Sequence, residues 1–180
     1  SGGGLDRVFD VRAGLLQLDG QTVRDGQEDF GGGVRVAPGA SFTASNAVIT
    51  ENEAFGHHTG EEWYFAHPTI GGGGIFSEGT TTLNASQVRD NLVPSSLVDP
   101  YLGGSVVGRG AGILQRGGSL VVQLSTISGN AVAYMGGHDY PNVDGDGGGI
   151  ALDGATASIV GSTISDNLAS GKGAGLRSSS

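Results

Sequence analysis

A cluster of glycines followed by one aliphatic residue recurs five times along the chain, at residues 31–34, 72–75, 110–113, 147–150 and 173–176. Each of the first four openings starts a run of 17 to 19 residues that closes on aliphatic-x-x-Asn, at residues 49–52, 88–91, 127–130 and 164–167. Residues 8–26 match the second unit at an offset of about 26 residues, with Gly26 in the place of the closing Asn. Repeats of this length are typical of solenoids, propellers and arrays, whose units are stable only when stacked.

Apolar residues within the repeat alternate with polar ones, as in strands, and show no helical period. Two positions counted back from the closing Asn are apolar in every repeat. Three residues back stand Val23, Ile49, Val88, Ile127 and Ile164, and eight residues back stand Leu18, Ala44, Leu83, Val122 and Ile159. At about 3.3 Å per residue, a bare repeat of about 25 residues holds three short strands and three turns. We therefore predict an all-β fold, a right-handed parallel β-helix (solenoid) of about five to six coils, as a single domain over residues 1–180.

Glycine, with 36 residues, is far too abundant for an ordinary helical domain and indicates many tight turns. The net charge of −9 and the lack of any basic run argue against nucleic acid as a partner. No apolar stretch is long enough to cross a bilayer, so we expect no direct membrane insertion of this segment.

The chain starts in the middle of a repeat and opens another near its end. We therefore expect a fragment of a longer chain, or copies that associate end to end with further β-helix.

The glycine openings and the aliphatic-x-x-Asn closings resemble the repeats of chlamydial polymorphic outer-membrane proteins and related β-helical repeats of large bacterial surface proteins. Residues 5–11 and 22–26 are similar to the first coil of such proteins. The resemblance covers nearly the whole chain, although Ile or Val stands where the chlamydial repeat usually has Phe, and long insertions are present. It implies an exported, extracellular or cell-surface protein of a bacterium, such as an adhesin, an autotransporter passenger or a surface-layer component.

The closing asparagines have two structural interpretations. Asn tolerates the left-handed backbone conformation that a sharp turn requires. Alternatively, the side chains stack from coil to coil as a hydrogen-bonded ladder. Both interpretations make the column a structural turn ladder formed by Asn52, Asn91, Asn130 and Asn167.

Three insertions separate a closing Asn from the next glycine cluster, at about residues 53–70, 92–109 and 131–146. In a stacked solenoid they emerge along one edge. They hold the only Trp and all the Tyr of the chain, namely Trp63, Tyr64, Tyr101, Tyr134 and Tyr140. These aromatic rings either pack together over the flank of the solenoid or form a surface that recognises glycans or another surface protein.

The third insertion gathers oxygen donors of the kind that Ca²⁺ takes, at Asp139, Asn142, Asp144 and Asp146. We weigh a Ca²⁺ site there against a solvated acidic turn, since the spacing matches no complete calcium loop. His57, His58 and His67 offer ligands for a transition metal, again without a fixed spacing. No cofactor is required by the fold.

Carboxylates stand just before the end of four coils, at Asp25, Glu51, Asp90 and Asp166. A glycosidase needs two carboxylates about 5 to 9.5 Å apart, which neighbouring coils could supply. A lyase would also need a base such as Arg89. Nothing else in the sequence supports catalysis. We expect a non-catalytic structural or adhesive module, the alternatives being a carbohydrate-binding module or a carbohydrate-active enzyme, either a polysaccharide lyase or a hydrolase.

Overall fold

The computed structural model describes residues 1–55, 69–95, 97–98, 104–105, 107–134 and 145–179. These ranges contain strands, bridges and turns and no helix. In chain order the strands are β1 (Phe9–Val11), β2 (Leu15–Asp19), β3 (Thr22–Arg24), β4 (Val34–Val36), β5 (Ser41–Ser45), β6 (Val48–Thr50), β7 (Thr69–Gly71), β8 (Ile75–Ser77), β9 (Thr80–Asn84), β10 (Gln87–Arg89), β11 (Leu92–Ser95), β12 (Leu97–Val98), β13 (Gly104–Ser105), β14 (Val107–Arg109), β15 (Ile113–Arg116), β16 (Ser119–Gln123), β17 (Thr126–Ser128), β18 (Ala131–Tyr134), β19 (Ile150–Asp153), β20 (Thr156–Val160), β21 (Thr163–Ser165), β22 (Leu168–Ala169) and β23 (Leu176–Ser179).

Three parallel sheets account for most of these strands. Sheet A has the order β1-β4-β8-β15-β19-β23, sheet B the order β2-β5-β9-β16-β20, and sheet C the order β3-β6-β10-β17-β21. The chain therefore passes through sheets A, B and C in turn and returns to sheet A one strand further along. Two shorter parallel sheets, β11-β18-β22 and β14-β7, and the antiparallel pair β12-β13 are formed mainly by the insertions, while β22 follows the last closing Asn. The predicted all-β, parallel arrangement is confirmed.

The register of the strands follows the sequence repeat. In sheet A the aliphatic residue after each glycine cluster pairs with the next, Val34 with Ile75, Ile75 with Ile113 and Ile113 with Ile150. The aliphatic columns of sheets B and C are in register in the same way, from Leu18 to Ile159 and from Val23 to Ile164. These two columns are therefore apolar in every repeat, whereas the inward column through Phe42 and Leu120 includes the buried Thr81.

The main core is one cluster to which all three sheets contribute. Its largest fully buried members include Phe42, Ile49, Ile75, Leu83 and Ile113. The other face of sheet A is also covered in its middle, where Phe76, Leu114 and Ala151 are buried with Phe30 packed against them. Sheet A is thus buried on both faces at β8, β15 and β19, whereas sheets B and C alternate buried and more exposed positions.

The turn that closes each repeat is left-handed at the residue before the asparagine. The residues with positive φ there are Asp25, Glu51, Asp90, Gly129 and Asp166, with φ between 54° and 65°. The closing asparagines themselves are absent from the positive-φ residues of the described ranges. Asn therefore does not supply the left-handed conformation; the residue before it does.

The third glycine of the first four openings faces the asparagine column at close range. A Cβ placed on Gly112 would lie 2.5 Å from the carbonyl oxygen of Gly149 and 3.0 Å from the amide of Asn130. A Cβ on Gly32, at the second position, would also meet a carbonyl oxygen, yet Ala111 and Ala174 occupy this position in two repeats. Of these two positions, only the third, which contacts the asparagine of its neighbour, is glycine in every opening.

Candidate functional site: the insertion edge

The described ends of the three insertions lie one above another along one edge, which we call the insertion edge. It consists of the sheet β11-β18-β22, the pair β7-β14, and the bridges Gln27–Glu53, Glu53–Leu92 and Arg109–Asp146. Leu92 pairs with Ala131 where two insertions leave the stack, and Val107 pairs with Thr69 where two return. Successive insertions therefore leave the stacked strands and rejoin them in the same order as the repeats.

A second apolar cluster fixes these ends to the stack. Ala54, Ile70, Val93, Ala111 and Val132 are each between 0% and 2% exposed and pack together. Four of the five belong to the insertions, and Ala111 comes from a glycine opening. The ends of the insertions are therefore held by burial of apolar side chains and by strand pairing.

Asp146, at the end of the third insertion, is a buried ion-pairing residue. Its Oδ1 accepts a hydrogen bond of 2.7 Å from the backbone N–H of Lys172, and its Oδ2 lies 3.1 Å from Nε of Arg177. Both oxygens are thus engaged with the last repeat. The other three predicted Ca²⁺ ligands, Asp139, Asn142 and Asp144, lie outside the described residues, and within the described ranges no three His, Cys, Asp or Glu side chains form a metal-binding group.

The predicted aromatic surface also falls largely outside the described residues. This holds for Trp63, Tyr64, Tyr101 and Tyr140, and for His57, His58 and His67. Tyr134 is the last residue of β18, where its backbone pairs with that of Ser95. The insertion edge accordingly places the beginning of one predicted recognition loop on a paired strand.

The closing asparagines form a continuous hydrogen-bonded stack. Oδ1 of Asn91 accepts from the backbone N–H of Asn52 at 3.1 Å and from its Nδ2 at 3.0 Å. The same two bonds join Asn91 to Asn130, and Asn130 to Asn167. The Nδ2 groups of Asn52, Asn91 and Asn130 each also donate to two backbone carbonyls, for Asn91 those of Ile49 and Arg89, both at 3.0 Å. At the first repeat Gly26 donates its N–H to Asn52 and has no side chain to continue the stack.

A column of serines at the turn between sheets B and C joins neighbouring repeats by hydrogen bonds in the same way. Sequence reasoning did not identify this column. The hydroxyl of Ser125 accepts from the backbone N–H of Ser86, and that of Ser162 from the N–H of Ser125. These serines stand five residues before each closing Asn, so the spacing alone could have revealed them. Their hydroxyls also donate to the carbonyl two residues earlier.

The carboxylates considered for catalysis lie on the turn beside the asparagine stack. A shallow cleft of about 470 Å³ at the first repeat is lined by Gly3, Gly4, Asp25, Gly26, Gln27, Glu51 and Glu53. Arg24 lies 3.0 Å from Asp25 and 3.8 Å from Glu51, so one guanidinium is shared by both carboxylates. Arg89 pairs with its neighbour Asp90. The arrangement brings Asp25 and Glu51 to one cleft, while Asp90 and Asp166 lie in other repeats.

Glu53 adds a third carboxyl group to that cleft and was not singled out from the sequence. Burial raises the pKa of Glu53, and a hydrogen bond of 3.2 Å from Nε2 of Gln27 opposes this in part. A carboxyl group with a raised pKa in a cleft with other carboxyl groups is one arrangement from which acid and base roles are built. The sequence feature that could have identified Glu53 is its position directly after the closing Asn52.

No helix in the described ranges is long and apolar enough to cross a membrane. Comparison of the chain with protein-family models, with curated proteins and with solved structures finds no match.

Proposed function

We propose that the chain is a right-handed parallel β-helix that serves as a non-catalytic structural or adhesive module of an exported bacterial surface protein. In this proposal the three sheets are the sides of one solenoid, and the insertions are loops that recognise glycans or another surface protein. The right hand follows from the strong preference of parallel β-crossover-β connections for that hand. Cell-surface location and adhesion rest on the resemblance of the repeat to those of bacterial surface proteins.

The observation that carries the proposal is the continuous polar and apolar stacking of equivalent residues through the repeats. The asparagine column is 0–1% exposed at Asn52, Asn91 and Asn130, and every one of these side chains bonds to the next repeat. Buried, satisfied polar stacks make a rigid scaffold. Loops on rigid scaffolds are where binding generally resides.

An experiment on the full chain tests the proposal by removing the loops and keeping the scaffold. Residues 56–68, 99–103 and 135–144 are replaced by short Gly-Ser linkers, and both proteins are applied to a glycan array and to immobilised surface proteins. We expect unchanged β circular dichroism and a cooperative thermal transition, with binding only by the chain that has its loops. Equal binding with and without loops, or no binding by either protein, would contradict loop recognition.

Calcium binding and end-to-end association belong to the same proposal. If residues 139–146 bind Ca²⁺, a chelator lowers the melting temperature of the parent chain and not that of the loop-replaced chain. Light scattering over a concentration series tests whether copies stack end to end, as unpaired strands at the end of a solenoid would favour. A mass that stays monomeric at every concentration contradicts association between copies.

A carbohydrate-active enzyme is the second candidate, favoured by the cleft at the first repeat. Equivalent residues of adjacent parallel strands are about 4.8 Å apart, so Asp25 and Glu51 have the approximate separation of a carboxylate pair. Reducing-end assays on a panel of polysaccharides test this candidate. Cleavage that is lost in Glu51→Gln and Glu53→Gln would favour the enzyme, and cleavage retained in both variants would exclude this cleft as its site.

A further inference from the structure

Arginine is concentrated on one side of this acidic protein. Six of the eight arginines lie in sheet A or form ion pairs with its residues, namely Arg7, Arg12, Arg35, Arg109, Arg116 and Arg177. The chain as a whole has a net charge of −9. Within the described residues, two groups of these arginines share the carboxylates with which they form ion pairs.

The first group surrounds Asp10 in β1. Nε of Arg12 lies 2.7 Å from its Oδ2, while Arg35 and Arg7 approach its Oδ1 at 3.6 Å and 4.0 Å. Burial raises the pKa of Asp10, but the hydrogen bond from Arg12 and the charges of all three arginines lower it overall. Glu28, 3.5 Å from Arg7, offsets one further charge. Two carboxylates thus face three guanidinium groups.

Two of these guanidinium groups are accessible. The side chain of Arg12 is 84% exposed and that of Arg35 is 36% exposed. The contacts of Arg7 and Arg35 with Asp10 are longer than hydrogen bonds, so their N–H donors are not used up by that carboxylate. Nη1 of Arg7 is buried without a hydrogen-bond partner. The group therefore has charge and donors in excess.

The second group lies further along the same face, where Arg109 and Arg116 share Asp153 at 3.6 Å each. The guanidinium of Arg116 also lies over the rings of Phe30 and Phe76, 5.7 Å and 5.6 Å from their centroids. The two rings are 4.9 Å apart and hold one face of the guanidinium, yet the Arg116 side chain remains 37% exposed. Arg116 is thus positioned in advance of any ligand.

We propose that this face of sheet A binds an acidic glycan, with carboxylate or sulfate groups at Arg12 and Arg35 and at Arg116. Guanidinium groups bind such anions through paired N–H donors. Arg12 and Arg116 occupy equivalent positions three strands apart, a separation of about 14 Å at the strand spacing of a sheet. A ligand that reaches both groups is a polymer with separated charges. The three arginines proposed to bind the ligand, Arg12, Arg35 and Arg116, are not part of the insertions, and the inference does not depend on the role of the loops.

Glu78 determines how the ligand would cross this face. It stands in the same column as Arg12 and Arg116, one strand from Arg116, and is partly exposed. A carboxylate there repels a uniformly dense polyanion and tolerates one whose charges are spaced. The dense charge of nucleic acid, one for about every 1.7 Å of duplex, fits this face less well than a glycan does.

Calorimetric titration of the full chain tests the inference with size-fractionated oligogalacturonate, dextran sulfate, uncharged dextran and a DNA duplex. We expect binding of the two acidic glycans, no binding of dextran, and affinity that falls with salt. A double variant that carries Arg12→Gln and Arg35→Gln should bind the acidic glycans at least about tenfold more weakly, and Arg116→Gln should weaken this binding severalfold. Glu78→Gln should strengthen it.

The matched control for Arg116→Gln is Lys172→Gln, which removes one exposed positive charge outside sheet A. Its affinity should stay within about twofold of the parent chain, since an exposed charge outside the site acts weakly through solvent. Equal loss in Arg116→Gln and Lys172→Gln, no binding of either acidic glycan, or tighter binding of DNA would overturn the inference. Unchanged melting temperatures show that the variants fold. The loop-replaced chain should still bind, so failure of loop recognition and failure of this site give different results.

Discussion

Two neighbouring columns of the closing turn, one residue apart, are opposite in character. The asparagine column is buried, and its side chains bond from repeat to repeat. The column before it holds Asp25, Glu51, Asp90, Gly129 and Asp166, all with left-handed backbone. Asp25 and Asp90 form ion pairs with the adjacent arginine, whose side chain is 41–55% exposed. The first column makes contacts between repeats, and the second shapes the turn.

This difference shows that regular recurrence of a polar residue is not by itself a sign of chemistry. The most regular polar column in the chain is the most buried one, since a stack of amides needs the same residue in every repeat. The column before it tolerates Gly129, because a left-handed turn requires only a permissive backbone. Strict repetition here indicates a structural requirement.

The largest effect should come from Asn91→Ala. This change leaves the N–H of Asn52 and several carbonyl groups without their buried partners, and each unsatisfied group costs about 1–3 kcal/mol. We expect a loss of about 3 kcal/mol in the free energy of unfolding, measured by urea denaturation. Gln87→Ala, at an exposed position of the same sheet, should change it by less than about 0.5 kcal/mol. A loss for Asn91→Ala no larger than that for Gln87→Ala would show that the asparagine column does not join the repeats.

Gly112→Ala tests the contact on the other side of the asparagine stack. Its Cβ would meet the carbonyl oxygen of Gly149 at 2.5 Å and the amide of Asn130 at 3.0 Å. We expect a loss of about 2 kcal/mol, typical of overpacking, together with a lower melting temperature. The control is Gly117→Ala, where φ is +77° and nothing lies within 4 Å, so that only backbone strain of about 1 kcal/mol applies. A smaller effect at Gly112 than at Gly117 would contradict close packing of the repeats.

Asp90→Gly should have a much smaller effect than Asn91→Ala. Glycine relieves the strain of φ 55° by about 1 kcal/mol, and the greater freedom of the unfolded chain offsets most of this gain. The exposed pair with Arg89 adds little. We expect a net change within about 0.5 kcal/mol of zero, against a clear loss for the β-branched Asp90→Val. A loss for Asp90→Gly as large as that for Asn91→Ala would show that the outer column also joins the repeats.

The all-β arrangement of parallel strands was predictable from the sequence because its determinants are local and repeated. Ile75, Ile113 and Ile150 each follow a glycine cluster, so their columns and parallel pairing follow from spacing alone. The left-handed position was misplaced by one residue, since Asp and Asn both favour such turns. Contacts such as that of Arg109 with Asp153 were not predictable, because insertions of unequal length separate the partners.

A small, pH-dependent effect concerns Glu53, which directly follows the asparagine column. Burial raises its folded-state pKa above the usual 4.5, so folding favours its protonated form. Its contribution to stability is therefore largest below pH 4.5 and is lost as the pH rises through the raised folded-state value. Asp10, whose pKa is lowered from 3.8, behaves in the opposite sense and contributes stability that is lost on acidification.

Glu53→Gln removes this titration and keeps a side chain of similar size. Between about pH 4 and pH 7 the parent chain should lose stability relative to Glu53→Gln, by less than about 1 kcal/mol because the carboxyl is half-buried. Urea denaturation of both proteins at matched ionic strength measures the difference. Glu51→Gln, at the residue before Asn52, is the matched variant on the other side of the asparagine column. If the parent gained stability over Glu53→Gln with rising pH, Glu53 would be held as an ionised partner, and the third carboxyl of the cleft could not serve as an acid.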